Sequence, residues 1–128
     1  MSFFDKVFGK SETTSNVSKL SWLSLESMEQ LEEMFNHSFE NPVLVFKHST
    51  RCNISRMVLR QFENAFVLEE SVAPYFLDLL EHRNLSNEIA SRLGVQHQSP
   101  QLIVIKDGIA VYNASHESIT VEDLKRFV

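Results

Sequence analysis

The run Pro42-Val43-Leu44-Val45-Phe46 contains no polar residue. A strand with one wet face alternates apolar and polar side chains, whereas a strand covered on both faces reads as continuous apolar sequence. The run therefore predicts a central strand over residues 43–46, with Pro42 opening it and covering layers above and below. A chain of 128 residues, 43% of them apolar, has material for one domain with such a layered core.

The flanking segments supply the layers. Leu20-Ser21-Trp22-Leu23 is either an edge strand or the lead-in to a helix. Ser24 or Ser27 caps that helix, which places Met28, Leu31, Met34 and Phe35 on one buried face. Glu26, Glu29, Glu32 and Glu33 belong to its first turns and solvated side. Residues 36–41 form a polar break. After the central strand, Ile54, Met57, Val58, Phe62, Ala65 and Phe66 give a second helical stripe. A connection over 67–74 leads to a strand over 75–80, and Asn84 or Ser86 caps a helix through Ile89, Ala90 and Leu93. Gly94 stands where a helix end wants a left-handed residue. Strand, helix, strand is a right-handed crossover, so the strands at 43–46 and 75–80 should be parallel neighbours. Asp107-Gly108 turns a hairpin between 101–106 and 109–112, and residues 120–128, with Leu124 and Phe127 on one side, form a short closing helix.

Net charge of −5 and the lack of a basic run argue against nucleic acid, whose affinity comes largely from phosphate neutralisation. No apolar run approaches the ~20 residues of a membrane span. Residues 1–18 read as a flexible tail: the apolar Met1-Ser2-Phe3-Phe4 start is interrupted by Asp5 and Lys6 and followed by a polar tract, unlike a signal peptide. The domain is expected over 19–128. Its single cysteine cannot form an internal disulfide, which points to a reducing, cytoplasmic setting.

That cysteine lies in Lys47-His48-Ser49-Thr50-Arg51-Cys52-Asn53-Ile54-Ser55-Arg56, where the central strand turns into the second helix. Unpaired N–H groups and the helix dipole favour an anion there, and thiols so placed can titrate at roughly 3.5–7.5. Cys52 is thus read as a reactive thiol. Ser55, one turn on, either donates to the thiolate or bonds backbone. Lys47, Arg51 and Arg56 either lower the thiol pKa or are merely solvated. His48 is an acid–base partner or faces away. His97 and His116 read as hydrogen-bonded structural residues. No pair among His37, His48, His82, His97 and His116 has ligand-like spacing, so no metal is expected. A lone thiol needs a second thiol from another molecule to complete an exchange cycle. Without turnover, the same thiol would make a redox sensor or binding module.

The order of elements, with a cysteine at the helix after the central strand, Ser99-Pro100 before the next strand, and Cys52-x-x-Ser55, resembles the thioredoxin fold. This implies an α/β three-layer domain with a mixed central sheet, helices on both faces and a cis Ser99-Pro100 bond opposite Cys52. Three pieces carry a closer likeness: Phe46-Lys47-His48-Ser49-Thr50-Arg51-Cys52 with Ile54-Ser55, then His97 with Ser99-Pro100-Gln101, and Ser115-His116 with Ile119. They are similar to the YtxJ-type monothiol bacilliredoxins, although Asn53 stands where many relatives carry Pro or Ser. The resemblance implies a monothiol thiol–disulfide oxidoreductase with Cys52 and Ser55 as catalytic residues. Lys47, His48, Thr50, Arg51, Ser99 and Pro100 would contact the substrate, the cations meeting bacillithiol carboxylates. It also implies no tightly bound cofactor, bacillithiol as co-substrate, bacillithiolated client proteins as partners, and an external thiol or bacillithiol disulfide reductase to close the cycle.

Overall fold

The computed structural model describes residues 20–66 and 72–127. The expected tail over 1–18 and residues 67–71, the first part of the expected 67–74 connection, lie outside them. In chain order the elements are β1 (Leu23–Ser24), α1 (Met28–His37), β2 (Val43–His48), α2 (Asn53–Ala65), β3 (Ala73–Asp78), α3 (Arg83–Leu93), β4 (Gln101–Lys106), β5 (Ile109–Ser115), a 3-10 turn (His116–Ser118) and α4 (Val121–Leu124). The five strands form one sheet in the order β1-β3-β2-β4-β5. β3 runs parallel to both β1 and β2, while β4 is antiparallel to β2 and β5 to β4.

β2 is the central strand, buried along its whole length. Alternation sends Leu44 and Phe46 to one face, where Val58 and Phe62 of α2 and Leu124 of α4 pack. Val43 and Val45 go to the other, against Leu31 and Met34 of α1 and Leu85 and Ile89 of α3. Each such side chain, taken fully out of water, contributes about 1.5–3 kcal/mol, and both faces of one strand share in it. The expected three-layer α/β domain with a mixed sheet is therefore present.

Local signals explain most boundaries. Ser27 caps α1, its Oγ accepting from Gln30 N–H at 3.1 Å. Gly94 ends α3 with φ +66°. Asp107 and Gly108, at φ +53° and +77°, turn the hairpin between β4 and β5.

Other boundaries differ from expectation. α3 begins after His82, and Ser86, expected as a possible cap, is instead a core-facing residue 1% exposed. β3 starts and ends two residues earlier than 75–80, and β5 runs on to Ser115. The closing helix is shorter than 120–128, with Thr120 capping it through Asp123 N–H. Met28, Ile54 and Met57 were expected on buried faces but are 41%, 42% and 46% exposed. In α2 the inward positions are Ser55, Val58 and Phe62, so a serine occupies the first-turn core position that the apolar pattern gives to Ile54.

Candidate active site

β2 runs two residues past the expected end, through Lys47 and His48, which are 0% and 4% exposed. The pairings of Lys47 with Gln101 of β4 and His48 with Asp78 of β3 hold this overshoot in the sheet. The chain then turns, Cys52 N–H donating to the Ser49 carbonyl at 3.2 Å, and enters α2. Cys52 is the N-cap of α2, with extended φ −105° and ψ 121° and a carbonyl that accepts from Arg56 N–H at 3.1 Å. An oxygen-bearing residue at this position would cap the first-turn N–H groups. Cys52 makes no side-chain cap bond, and no acidic residue lies in the first turn. A thiolate here would face unpaired donors and the positive end of the helix dipole, worth about 0.3–1 kcal/mol at a surface site. The thiol is partly exposed and therefore reachable.

Arg56 ties the turn together. Its guanidinium donates to the Thr50 carbonyl at 2.7 Å and to Asn53 Oδ1. Thr50 and Arg51 are exposed beside the thiol.

Ser55 is wholly buried beneath the same turn. Its Oγ lies 2.7 Å from His48 Nδ1 and accepts from Ser49 N–H at 3.1 Å. His48 thus faces inward onto α2, with the Phe76 ring 5.5 Å from its own. Burial pushes the imidazole below its ordinary pKa, a tendency opposed by the Asp78 charge, reinforced by Arg56 and opposed again by Glu63.

Lys47 corrects an expectation. It is not an exposed cation able to meet a substrate carboxylate, because strand alternation turns it the other way, into the α3 face. Its Nζ lies 3.3 Å from the Ser86 carbonyl and 3.4 Å from His97 Nδ1, and Ser86 Oγ lies 3.0 Å from the same ring nitrogen. Burial pushes the ammonium down to about 8. His97 is likewise depressed, by burial first and then by the charges of Lys47 and Arg83.

The Ser99-Pro100 bond is cis. Since Lys47 pairs with Gln101, and Gln101 with Ser115, this loop lies at the same end of the sheet as the β2–α2 turn and His116. Gln101, 1% exposed, anchors the loop by donating from Nε2 to the Gln96 carbonyl at 2.9 Å and accepting from Gln98 N–H at 3.4 Å. His116 N–H donates to the Pro100 carbonyl at 3.0 Å, its own ring being on an exposed residue at φ +55°. Ser99 Oγ is the buried side-chain polar atom without a partner among the described residues. Sequence reasoning missed the roles of Ser86 and Gln101. Their signal was a polar residue at a position that helical or strand periodicity turns inward.

Among the described residues no three His, Cys, Asp or Glu side chains gather into a metal-holding group, and no helix is long and apolar enough to cross a membrane. The family described as monothiol bacilliredoxin BrxC matches residues 23–124. A solved structure provisionally described as an oxidoreductase with a thioredoxin fold is 35% identical, covering 81% of this chain and 90% of its own, with a TM-score of 0.69. Thioredoxin of Malassezia sympodialis, 16% identical, covers 89% of this chain and 93% of its own at a TM-score of 0.67. Thioredoxin of Fasciola hepatica, 20% identical, covers 82% and 98% at 0.65. These two share the fold. The chain belongs to the monothiol bacilliredoxin family and is a thiol–disulfide oxidoreductase of thioredoxin-like fold.

Proposed function

We propose that this bacilliredoxin removes bacillithiol from client proteins in the cytoplasm. The Cys52 thiolate attacks the bacillithiol sulfur of a client mixed disulfide. A Cys52–bacillithiol disulfide forms as the client bond breaks, and the client thiolate leaves and takes up a proton. With one cysteine in the chain, the second step uses an external thiolate. Free bacillithiol attacks the bound bacillithiol sulfur, returning Cys52 as thiolate and giving bacillithiol disulfide, which a separate reductase reduces to two thiols. Each step is a two-electron exchange with no net oxidant.

The observation that carries this reading is the partly exposed lone cysteine at the N-cap of α2. Arg51 beside it, together with Thr50, offers a charge and a hydroxyl to the carboxylates of the small thiol. The unpartnered Ser99 hydroxyl offers a further hydrogen bond in the cis-proline loop. Lys47 is left out of the contact set because it is buried.

The test is release of bacillithiol from a bacillithiolated client, followed by mass spectrometry. Cys52→Ser is expected to abolish release while leaving the protein folded, with a thermal unfolding midpoint at or above that of wild type because a serine oxygen can cap α2. Release retained in that variant overturns the proposal. Turnover of a glutathione mixed disulfide but not the bacillithiol one reassigns the substrate.

A further inference from the structure

We infer that Lys47 and His97 form an acid-released tie on the loop that carries Ser99 and Pro100, with protonation of His97 freeing its ring from Lys47. Three groups meet at one ring nitrogen. Lys47 Nζ lies 3.4 Å from His97 Nδ1, and Ser86 Oγ lies 3.0 Å from it. An ammonium has donors and no acceptor, so its contact requires a bare Nδ1 and leaves the proton of the neutral ring on Nε2. The Ser86 hydroxyl then donates to the same atom. Both partners are internal, Lys47 being 0% and Ser86 1% exposed.

A proton added to Nδ1 affects the two partners differently. Ser86 Oγ keeps its contact by turning from donor to acceptor, because a hydroxyl can do both. Lys47 has no such option, and the ring becomes a second cation 3.4 Å from the first. The ammonium still has the Ser86 carbonyl at 3.3 Å, so the ring is the half that moves. Its movement has a short route to Pro100. Gln96 and Gln98, on either side of His97, are both held by the Gln101 side chain, through the Gln96 carbonyl at 2.9 Å and the Gln98 N–H at 3.4 Å. Gln101 directly follows Pro100 and is itself 1% exposed. Lys47 and His97 are therefore positioning residues for this loop, acting through Gln101. Burial disfavours the proton on His97 first, and the charges of Lys47 from β2 and Arg83 from α3 add to it, so release comes below the ordinary histidine range. His116, whose N–H meets the Pro100 carbonyl, is the imidazole on the β5 side of the loop.

The tie involves neither Cys52 nor bacillithiol, so it stands or falls separately from the exchange chemistry. NMR follows the His97 ring and the backbone amides of Gln98, Ser99 and Gln101 from about pH 7.5 to about pH 4.5 in wild type, His97→Asn and Lys47→Met. His97→Asn sets an amide oxygen where Nδ1 stood, an acceptor that takes up no proton in this range. In wild type the amide signals are expected to shift with the midpoint of the His97 ring, below about 6.5. In His97→Asn they keep their neutral-pH positions and lose that shift, so that only a component following the His116 ring is left. In Lys47→Met the His97 midpoint rises and the amide shift shrinks, because no cation remains to expel the ring. A purely structural role for His97 would leave no shared midpoint to lose. Wild-type amide shifts that do not follow His97, or shifts of equal size in either variant, overturn the inference.

Discussion

Two neighbouring residues at the end of β2 face opposite layers and meet opposite conditions. His48 turns toward α2 and meets a wholly buried hydroxyl, forming a contact that either protonation state of the ring can keep. Lys47 turns toward α3 and meets a carbonyl and a ring nitrogen, acceptors suited to an ammonium, with burial unopposed by a charge partner in the cause of its shift. The first pocket suits a group that changes protonation without losing its partner. The second holds a cation at a cost to folding and anchors it beside His97, which leads into the cis-proline loop. The polarity of a buried position matters less than whether its partners match each state of the group.

Lys47→Met is the largest way to test that contrast. A fall from 10.5 to about 8 corresponds to roughly 3 kcal/mol of folding penalty below pH 8. Replacing the cation with a side chain of similar volume is expected to raise stability by about 1–3 kcal/mol at pH 7, read from urea midpoints. The sign with pH is fixed. Between pH 8 and 10.5 the unfolded chain holds the lysine proton and the folded chain does not, so wild-type stability gains on the variant's as pH rises. A constant difference across that window would remove the argument.

Ser55→Ala attacks the other pocket and should lower stability by about 1–3 kcal/mol, because it leaves the buried His48 Nδ1 and the partly buried Ser49 N–H without their partner. Denaturant unfolding at neutral pH measures it. On acidification the depressed His48 takes up its proton later than an unfolded histidine. This part of the stability is present above the ordinary histidine range of about 6.5 and is lost as pH falls through the folded value.

The smallest expected effect joins the two halves. Lys47→Met should move the His97 titration upward, since the Lys47 charge is a cause of its depression, while leaving His48 in place. NMR of the imidazole protons reads both. A His48 shift as large as that of His97 would mean that the two faces are not separate.

How much of this was legible depended on how local each signal was. The apolar run placed β2, Asp107-Gly108 placed the hairpin, Gly94 closed α3, and Cys52 fell at a strand-to-helix turn, all through interactions within a few residues. The cis bond at Ser99-Pro100 came from resemblance. The end of β2 was not legible, since Lys47 and His48 look like the beginning of a loop. They remain in the strand because Ser86, His97 and Ser55 meet them, and the first two lie 39 and 50 residues away from Lys47. The phase of α2 was misread for the same reason. A serine paired with a buried histidine takes the inward place, leaving Ile54 and Met57 at the surface near the thiol.

At the far end of the sheet, the Asp107 and Gly108 amides donate to the Ser38 carbonyl and hydroxyl at 2.8 and 2.9 Å, and a Cβ on Gly108 would come within 3.1 Å of the Phe39 ring. This works as a surveyor's benchmark for the active end. β4 is a six-residue ruler whose zero is the hook on Ser38 and whose other tip carries Pro100. Because a strand repeats every two residues, a slip of one would turn its apolar face to the wrong layer. The reading of that ruler at the thiol is thus fixed at the opposite edge of the molecule, by a turn that touches no reacting atom.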